Sequence, residues 1–268
     1  MPKISVAIAT YNEESNIKDC LKSLSSLKAE VIVVDGSSTD QTLKIAKELG
    51  AKVIKTQNRA MFHTNKNMAI DACHGEWILV LDADERVDSK LAREIKEIAS
   101  RKWTDKDPAG YYLKRKNLFL TRFLKKGGQY PDPVIRFFKK GSGRHPEVSV
   151  HEQIKIKGQV GWLENDLIHL ANPTFTRYLT RENRYSTLEA ENLAKEKVAL
   201  KFSSGFKYLL SKPIKTFLSI FIRHKGFYDG FSGFIFAFFS GLHHFLAYVK
   251  YWEKKHAKEK IDIKKDWL

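Results

Sequence analysis

Two aspartates two positions apart, Asp82 and Asp84, are the residues of this sequence best suited to chemistry. In an extended chain, residues i and i+2 point to the same side, so both carboxylates would face one ligand while Ala83 points away. Two hard oxygen donors suit Mg²⁺ or Mn²⁺ bridged to a diphosphate, where the ion offsets the charge that develops on a leaving phosphate. The pair therefore predicts a divalent-metal site next to a phosphorylated ligand.

Two other polar segments also follow short apolar runs. TYNEE (10–14) follows the run 4–9, and DGSSTDQT (35–42) follows the run 31–34. Each segment by itself could be an ordinary turn or a helix cap. Together with LDADE (81–85), however, they place carboxylates, hydroxyls and an aromatic ring after three strands in succession, which predicts one shared ligand site.

The elements that would position these residues alternate between strand and helix patterns. Short runs rich in β-branched residues alternate with segments whose apolar residues repeat at helical spacing. Such alternation predicts an α/β fold with a parallel sheet covered by helices on both faces, in which ligands bind beyond the carboxyl ends of the strands. The predicted strands lie at 4–9, 31–34, 53–54 and 77–81.

These motifs resemble a known family. TYNEE, DGSSTDQT, the Lys66-Asn67 pair in NKNMAIDACHGEW, and LDADE are similar to the inverting family 2 glycosyltransferases of the GT-A fold, over about residues 3–90. Gly127-Gly128, PVIRFF, VHE and KGFYDG resemble a branch that includes bacterial lipopolysaccharide-core glucosyltransferases, and they extend the resemblance to nearly the whole chain. The expected fold is therefore a Rossmann-like, nucleotide-sugar-binding GT-A sheet with a helical segment after it.

The resemblance implies a function and roles for particular residues. The chain would move a hexose from a nucleotide sugar, with UDP as the expected nucleotide, to a glycan or glycolipid of the cell envelope. Base and ribose of the donor would be held by Thr10, Tyr11, Glu13 and Asp35, and the nucleotide also by Lys66 and Asn67. Asp82 would touch the ribose or the metal, and Asp84 would ligate the metal.

Several roles keep two candidates. An inverting transfer needs a carboxylate that deprotonates the acceptor hydroxyl, and the candidates are Glu152 and Asp132. Glu152 is favoured because it follows a predicted strand end, whereas Asp132 lies between two prolines. His169 is either a third metal ligand or a packed core histidine. Arg136 either contacts the diphosphate or is a solvated strand residue.

The predicted domain organisation follows the same pattern. Residues 1–175 would form the GT-A catalytic domain, with 1–90 binding the donor and 105–175 lining the acceptor side. Residues 176–268 would form a helical C-terminal extension.

The net charge of +16 favours anionic partners. From residue 201 onward, 13 Lys/Arg against 5 Asp/Glu give +8, and residues 231–249 contain no Asp, Glu, Lys or Arg. Aromatic residues beside lysines favour helices lying on an anionic membrane surface, while a packed hairpin and a membrane-spanning helix stay open as alternatives.

The remaining expectations concern location and competing functions. The N-terminus shows no signal-segment pattern, and Cys20 and Cys73 have neither metal-ligand nor disulfide-framework spacing. Both observations favour a cytoplasmic protein, and the basic C-terminal segment favours a peripheral location on the inner face of the cytoplasmic membrane. Nucleic acid is not an expected partner, because acids line the predicted site and no recognition motif is present. The alternative to an enzyme is a non-catalytic basic protein that binds an anionic polymer or membrane.

Overall fold

The computed structural model describes residues 3–59, 61–147 and 153–256. The chain forms two compact units. The first contains Met1–Lys116 and Pro131–Ala171, and the second contains Asn117–Tyr130 and Asn172–Leu268. The segment 117–130 thus groups with the C-terminal helices, while the domain boundary predicted near residue 175 stays a prediction.

The first unit begins with parallel strands separated by helices, as predicted from the apolar runs. The strands pair in the order β3-β2-β1-β4, and each pairing among them is parallel. These elements are β1 (Ile4–Thr10), α1 (Glu14–Ser23), β2 (Glu30–Asp35), α2 (Thr42–Glu48), β3 (Lys52–Lys55), α3 (Phe62–Asp71) and β4 (Trp77–Leu81).

Antiparallel strands extend this sheet beyond β4. The order continues β4-β8-β6-β11-β5, so the sheet is mixed, with the parallel part at one side. The segments concerned are β5 (Glu85–Arg86), α4 (Ser89–Ser100), β6 (Gly110–Phe119), β7 (Arg122–Phe123), β8 (Pro133–Lys139) and β11 (Val160–Asn172). A separate two-stranded antiparallel sheet consists of β9 (Gly143–Arg144) and β10 (Lys155–Ile156).

The core of the first unit lies on both faces of the sheet. Val6 and Ile8 of β1 pack on one face with Ile17 of α1, and Ala7 packs on the other face with Ile70 of α3. A strand covered on both faces has to be apolar at successive positions, which is why the runs read as continuous rather than alternating. Burial of the strands leaves their carboxyl ends as the places where polar side chains can gather.

The second unit is helical. α8 packs against both α5 and α7. Gly241 of α8 permits a close approach, since an added Cβ there would lie 2.6 Å from the carbonyl oxygen of Pro213. The elements are α5 (Phe175–Lys195), α6 (Phe202–Phe206), a π-helical segment (Lys207–Ser211), α7 (Lys212–Leu218), a second π-helical segment (Ser219–Arg223), a 3₁₀ turn (Gly226–Asp229) and α8 (Gly230–His256).

The KGFYDG motif (225–230) anchors a loop of this unit. The buried Asp229 carboxylate accepts hydrogen bonds from the backbone N–H of Lys125 at 3.0 Å and of Lys126 at 2.8 Å. Gly233 must lack a side chain, because a Cβ there would lie 2.0 Å from the carbonyl oxygen of Gly226. These contacts give the motif a structural role.

Replacing Asp229 by alanine is expected to destabilise the protein by about 2 kcal/mol or more, since a hydrogen bond to a charged group contributes about 1.5–3 kcal/mol and two backbone N–H groups would lose their acceptor. Urea unfolding followed by circular dichroism measures the change. Asp105→Ala, at an exposed position, is the matched control and should unfold as the parent does. Equal unfolding curves for the two variants would contradict the anchoring role.

Candidate active site

The polar segments that follow β1 and β2 lie side by side. Thr10 and Asp35 are register partners at the ends of these parallel strands. The side-chain carbonyl of Asn12 accepts a hydrogen bond from the backbone N–H of Thr39 at 2.8 Å, and the hydroxyl of Thr42 accepts one from the N–H of Glu13 at 2.7 Å. The structure therefore brings together the two segments that the sequence predicted to share a site.

Asp35 shapes the second of these segments. Its buried carboxylate accepts hydrogen bonds from the backbone N–H of Ser38 at 2.9 Å and from the Ser38 hydroxyl at 2.5 Å. Thr10, in contrast, has a buried hydroxyl with no hydrogen-bond partner among the described residues. Burying a hydroxyl without a partner is costly, so Thr10 is suited to binding a ligand. Tyr11 lies half-buried in the loop after β1, and Glu13 accepts a hydrogen bond from the amide of Asn16 at 2.6 Å.

Asp82, which follows β4, is bound by two buried cations. Its two carboxylate oxygens form ion pairs with Lys66 of α3 and with Arg136 of β8. Burial alone would raise the pKa of Asp82, but the Arg136 guanidinium and the Lys66 ammonium hold that pKa well below its ordinary value. Burial also lowers the pKa of Lys66, and Asp82 opposes this shift. Asp82 is consequently ionised and oriented before any ligand arrives.

Glu85 stabilises this arrangement from the interior of the protein. It is fully buried, accepts a hydrogen bond from the backbone N–H of Asp82 at 2.9 Å, and pairs with Arg136 at 3.0 Å. Arg136 is itself buried, and the carboxylates of Asp82 and Glu85 raise its pKa against the effect of burial. The solvated interpretation of Arg136 is therefore wrong, since this side chain is shared between two carboxylates in the interior.

Asp84 lies close to a histidine that belongs to the antiparallel part of the sheet. His169 of β11 is the register partner of Glu85 in β5, which brings its Nε2 to 3.6 Å from Oδ1 of Asp84. Both side chains are nearly buried, with 11% and 12% of their surfaces exposed. The pairing of β5 with β11 thus brings close together two residues that are distant in sequence and that the sequence indicated as candidate ligands of one metal ion.

The Asp84–His169 pair fits a divalent ion as part of its ligand set. A carboxylate oxygen and an imidazole nitrogen, which the pairing of β5 with β11 brings together, are donors that Mn²⁺ accepts. Among the described residues, no group of three His, Cys, Asp or Glu side chains could hold a metal ion by itself. The other ligands would have to come from the diphosphate and from water, as in sites where Mg²⁺ is shared with a phosphorylated substrate.

Asn67 has its side chain engaged by the protein. Its Oδ1 accepts from the backbone N–H of His145 at 3.0 Å, and its Nδ2 donates to the His145 carbonyl at 3.0 Å and to Glu147 at 2.5 Å. Burial, followed by the nearby charge of Lys66, lowers the pKa of His145 to about 3, so its ring is neutral. The predicted nucleotide contact of Asn67 stays a prediction, but the contacts seen here hold His145 and Glu147 in place.

The structure describes only one of the two candidate bases. Glu152 lies outside the described residues. Asp132 receives two hydrogen bonds on Oδ2 from Arg115, at 3.0 Å from Nε and 2.8 Å from Nη2. Arg115 also lies 3.9 Å from Glu85, and Glu85 pairs with Arg136. Asp132 is thereby connected to the ion pairs of Asp82.

Glu85 and Arg115 were missed as site residues in the sequence. Arg115 lies in a strand where charged residues are common, so its residue type gives no signal of a role in the site. One signal was present for Arg136, a single arginine inside the apolar run VIRFF. A charge within such a run is buried only when it is paired, and its partners are distant in sequence.

The fold and the site define the class of protein. A mannosyltransferase of Pyrobaculum calidifontis, solved in complex with GDP-Man and Mn²⁺, superposes with a TM-score of 0.52 over 95% of this chain and 88% of its own, at 15% sequence identity. The protein has the GT-A fold of glycosyltransferases, with its acidic residues at the carboxyl edge of the parallel strands.

Sequence relatives then identify the family. The model of glycosyl transferase family 2 matches residues 5–130. An uncharacterised glycosyltransferase of Rickettsia typhi is 31% identical, covering 93% of this chain and 87% of the relative. A lipopolysaccharide core biosynthesis glycosyltransferase of Rhizobium meliloti is 27% identical, covering 98% and 97%. The chain belongs to glycosyl transferase family 2, as its motifs predicted.

Proposed function

We propose that the protein transfers a hexose from a UDP-sugar, with inversion, to a hydroxyl of a cell-envelope glycan or glycolipid, in a reaction that depends on Mg²⁺ or Mn²⁺. The observation that carries the proposal is the joint placement of Asp84 with His169 beside Asp82, which Lys66 and Arg136 hold. The Rhizobium meliloti relative, named for lipopolysaccharide core biosynthesis, supports the acceptor class.

The residues at the strand ends would bind the donor. The unpartnered hydroxyl of Thr10 and the oriented carboxylate of Asp35 would bind the base and ribose, with Tyr11 and Glu13 in the same loop. Lys66 would contact the diphosphate, and its ion pair with Asp82 beside the proposed metal site supports this role. A bound divalent ion, held by Asp84 and His169, would offset negative charge on the leaving diphosphate.

The acceptor hydroxyl needs a base on the face opposite the leaving group. Glu152 is the proposed base, and its carboxylate would take the proton as the hydroxyl attacks the anomeric carbon. Asp132 is the alternative. The two hydrogen bonds that Asp132 receives from Arg115 favour an anchoring role for it, because they hold the carboxylate on a buried network of charges.

Glu152→Gln is expected to leave donor affinity nearly unchanged and to lower kcat by about a hundredfold or more, the usual contribution of a general base. The amide keeps the shape of the side chain but cannot take the proton. Steady-state kinetics with the donor in excess measures the effect, and Gln153→Glu at the next position is the matched control. Normal turnover in Glu152→Gln would transfer the role to Asp132, to be tested by Asp132→Asn.

Thermal-shift measurements with nucleotides test the proposed function directly. A true donor stabilises the fold by mass action, so UDP and one UDP-hexose should raise Tm in the presence of Mn²⁺ and less in its absence. GDP-mannose serves as the competing nucleotide sugar. Stabilisation without sugar transfer to any envelope glycan would favour the non-catalytic alternative, and stabilisation by GDP-mannose alone would correct the nucleotide.

An anionic membrane surface is the proposed location of this reaction, on the cytoplasmic side where nucleotide sugars would be met. The excess of +8 from residue 201 onward supports the proposal. Among the described residues one helix, Gly226–His256, is long and apolar enough to cross a membrane by length and composition. Nucleic acid is not a proposed partner, because the site is acidic.

A further inference from the structure

The helical stretch 202–223 carries an apolar residue at every fourth position. All six of these side chains are exposed, from 48% at Leu218 to 90% at Phe202. The residues between them are mostly half-buried, and Tyr208 is buried against Tyr248 of α8. We call this row the apolar ladder; it consists of Phe202, Phe206, Leu210, Ile214, Leu218 and Ile222.

Two π-helical segments explain why residues spaced four positions apart stay on one side of the helical stretch. In a regular α-helix, four residues advance by about 40° more than a full turn, so a row of six would rotate by about 200° and end on the opposite face. Lys207–Ser211 and Ser219–Arg223 close wider i→i+5 turns, which rotate the row back. The ladder therefore remains on the solvent side throughout, as the exposure of its six members shows.

Cationic side chains lie next to the ladder at regular intervals. Lys207, Lys215 and Arg223 each directly follow a ladder residue, eight positions apart, and all three are exposed. From residue 197 to residue 228 there are seven lysines and arginines and no aspartate or glutamate: Lys197, Lys201, Lys207, Lys212, Lys215, Arg223 and Lys225. An exposed apolar row with cations beside it and no acid nearby is complementary to an anionic lipid surface.

The neighbouring helix adds aromatic area. The ring of Phe234 in α8 contacts those of Phe217 and Phe221, with centroids 5.8 Å apart in both cases, and remains 40% exposed. Phe231 and Phe238, on either side of it, are also exposed. These neighbouring aromatic residues differ from the singly scattered apolar residues that are normal on a protein exterior.

The packing of α8 opposes a membrane-spanning arrangement. The Lys250 ammonium donates to the Asn183 carbonyl at 2.6 Å and to the Thr187 hydroxyl at 2.7 Å, and His243 pairs with Glu182 at 2.6 Å. These partners belong to α5, a helix rich in arginine and glutamate. If α8 crossed the bilayer, α5 would have to enter hydrocarbon with it, at a large cost for its charges.

We infer that the apolar ladder is a membrane-docking edge that lies in the plane of an anionic bilayer, with Lys207, Lys215 and Arg223 at the headgroups. The inference rests on the membrane attachment proposed above and specifies which surface makes it. It is independent of the donor chemistry, because no ladder residue belongs to the nucleotide site.

Cosedimentation of the full chain with vesicles tests the inference. The protein should bind phosphatidylcholine vesicles that contain phosphatidylglycerol and should bind pure phosphatidylcholine weakly. Leu210→Ser with Ile214→Ser should lower the affinity about tenfold or more, through lost apolar burial. The matched control is Leu49→Ser with Leu179→Ser, two exposed leucines that do not belong to the ladder, which should bind as the parent does.

A charge series separates the two contributions. Lys207→Gln, Lys215→Gln and Arg223→Gln together should abolish the preference for phosphatidylglycerol, whereas Lys18→Gln, Lys44→Gln and Lys96→Gln, with the same net charge, should keep it. Equal binding by the two triple variants, or by the two leucine pairs, would overturn the inference.

Three other outcomes would also overturn it. If the full-length protein does not bind anionic vesicles, the ladder has no membrane role. A dimer in solution that Leu210→Ser with Ile214→Ser converts to monomer, without vesicle binding, would make the ladder a contact between two copies. Cell membranes that retain the protein after alkaline carbonate would indicate a spanning helix. Unchanged thermal stabilisation by UDP and Mn²⁺ in the ladder variant keeps these failures distinct from failure of the proposed transferase.

Discussion

Asp84→Asn is expected to abolish the metal dependence of donor binding and to lower kcat/KM about a thousandfold, with the fold intact. A Lewis acid contributes several kcal/mol at a leaving phosphate, and about 1.4 kcal/mol corresponds to a factor of ten in rate. The asparagine amide keeps the volume of the side chain but lacks the charge that pairs a divalent ion. Isothermal titration of UDP with and without Mn²⁺ measures the loss of coupling between nucleotide and metal.

His169→Gln provides an independent test of the same site. If Asp84 and His169 share one ion, each single variant removes the Mn²⁺ dependence and the double variant loses little more, because contacting residues are not additive. Asp19→Asn, on the exposed face of α1, is the control and should titrate as the parent does. Mn²⁺-dependent UDP binding that persists in Asp84→Asn would show that the metal assignment is wrong.

Arg136→Met is expected to have the largest effect on stability. Arg136 lies between Asp82 and Glu85 in the interior, and its removal leaves the fully buried Glu85 with Arg115, at 3.9 Å, as its remaining ion-pair partner among the described residues. Breaking a buried ion pair by removing one partner costs about 3–5 kcal/mol, because the remaining charge is uncompensated. Chemical unfolding should show this loss, and donor binding should fall with it, since Asp82 loses one of its two cations.

The chain offers a matched control on its surface. Arg144 pairs with Asp71 at 2.6 Å, but both side chains are more than half exposed. Exposed pairs contribute only about 0–1 kcal/mol, so Arg144→Met should change the unfolding free energy little. Similar losses in the two arginine variants would mean that burial of the Arg136 pair does not decide its strength.

These predictions share one physical basis. A row of alternating charges crosses the first unit, from α3 over three strands and the loops beside them. It consists of Lys66, Asp82, Arg136, Glu85, Arg115 and Asp132. Each buried charge in the row is compensated by the next, so the carboxylate edge is ordered before a ligand binds. Preorganised charges of this kind need little rearrangement when charge develops on a leaving group.

The sequence by itself determined the parallel half of the fold and the segments that form the site. The apolar runs at 4–9, 31–34, 53–54 and 77–81 became β1 to β4, because strands buried on both faces must be apolar at successive positions. The polar residues after them had to gather at one edge, because parallel strands end on the same side. The family followed from these same motifs, since they combine residue type with position along the strands.

Only the tertiary structure decided which distant residues complete the site. Antiparallel pairing places His169 beside Glu85 and hence near Asp84, and β8 carries Arg136 to Asp82, across 54 positions of sequence. The roles of Arg115 and Glu85 depend on the same register. Likewise, the spacing of Phe202, Phe206 and Leu210 was visible in the sequence, but π-helical turns decide that the row stays on one face. Local pattern specifies periodicity and burial, whereas contacts between charges depend on strand register and helix winding, which the folded chain as a whole determines.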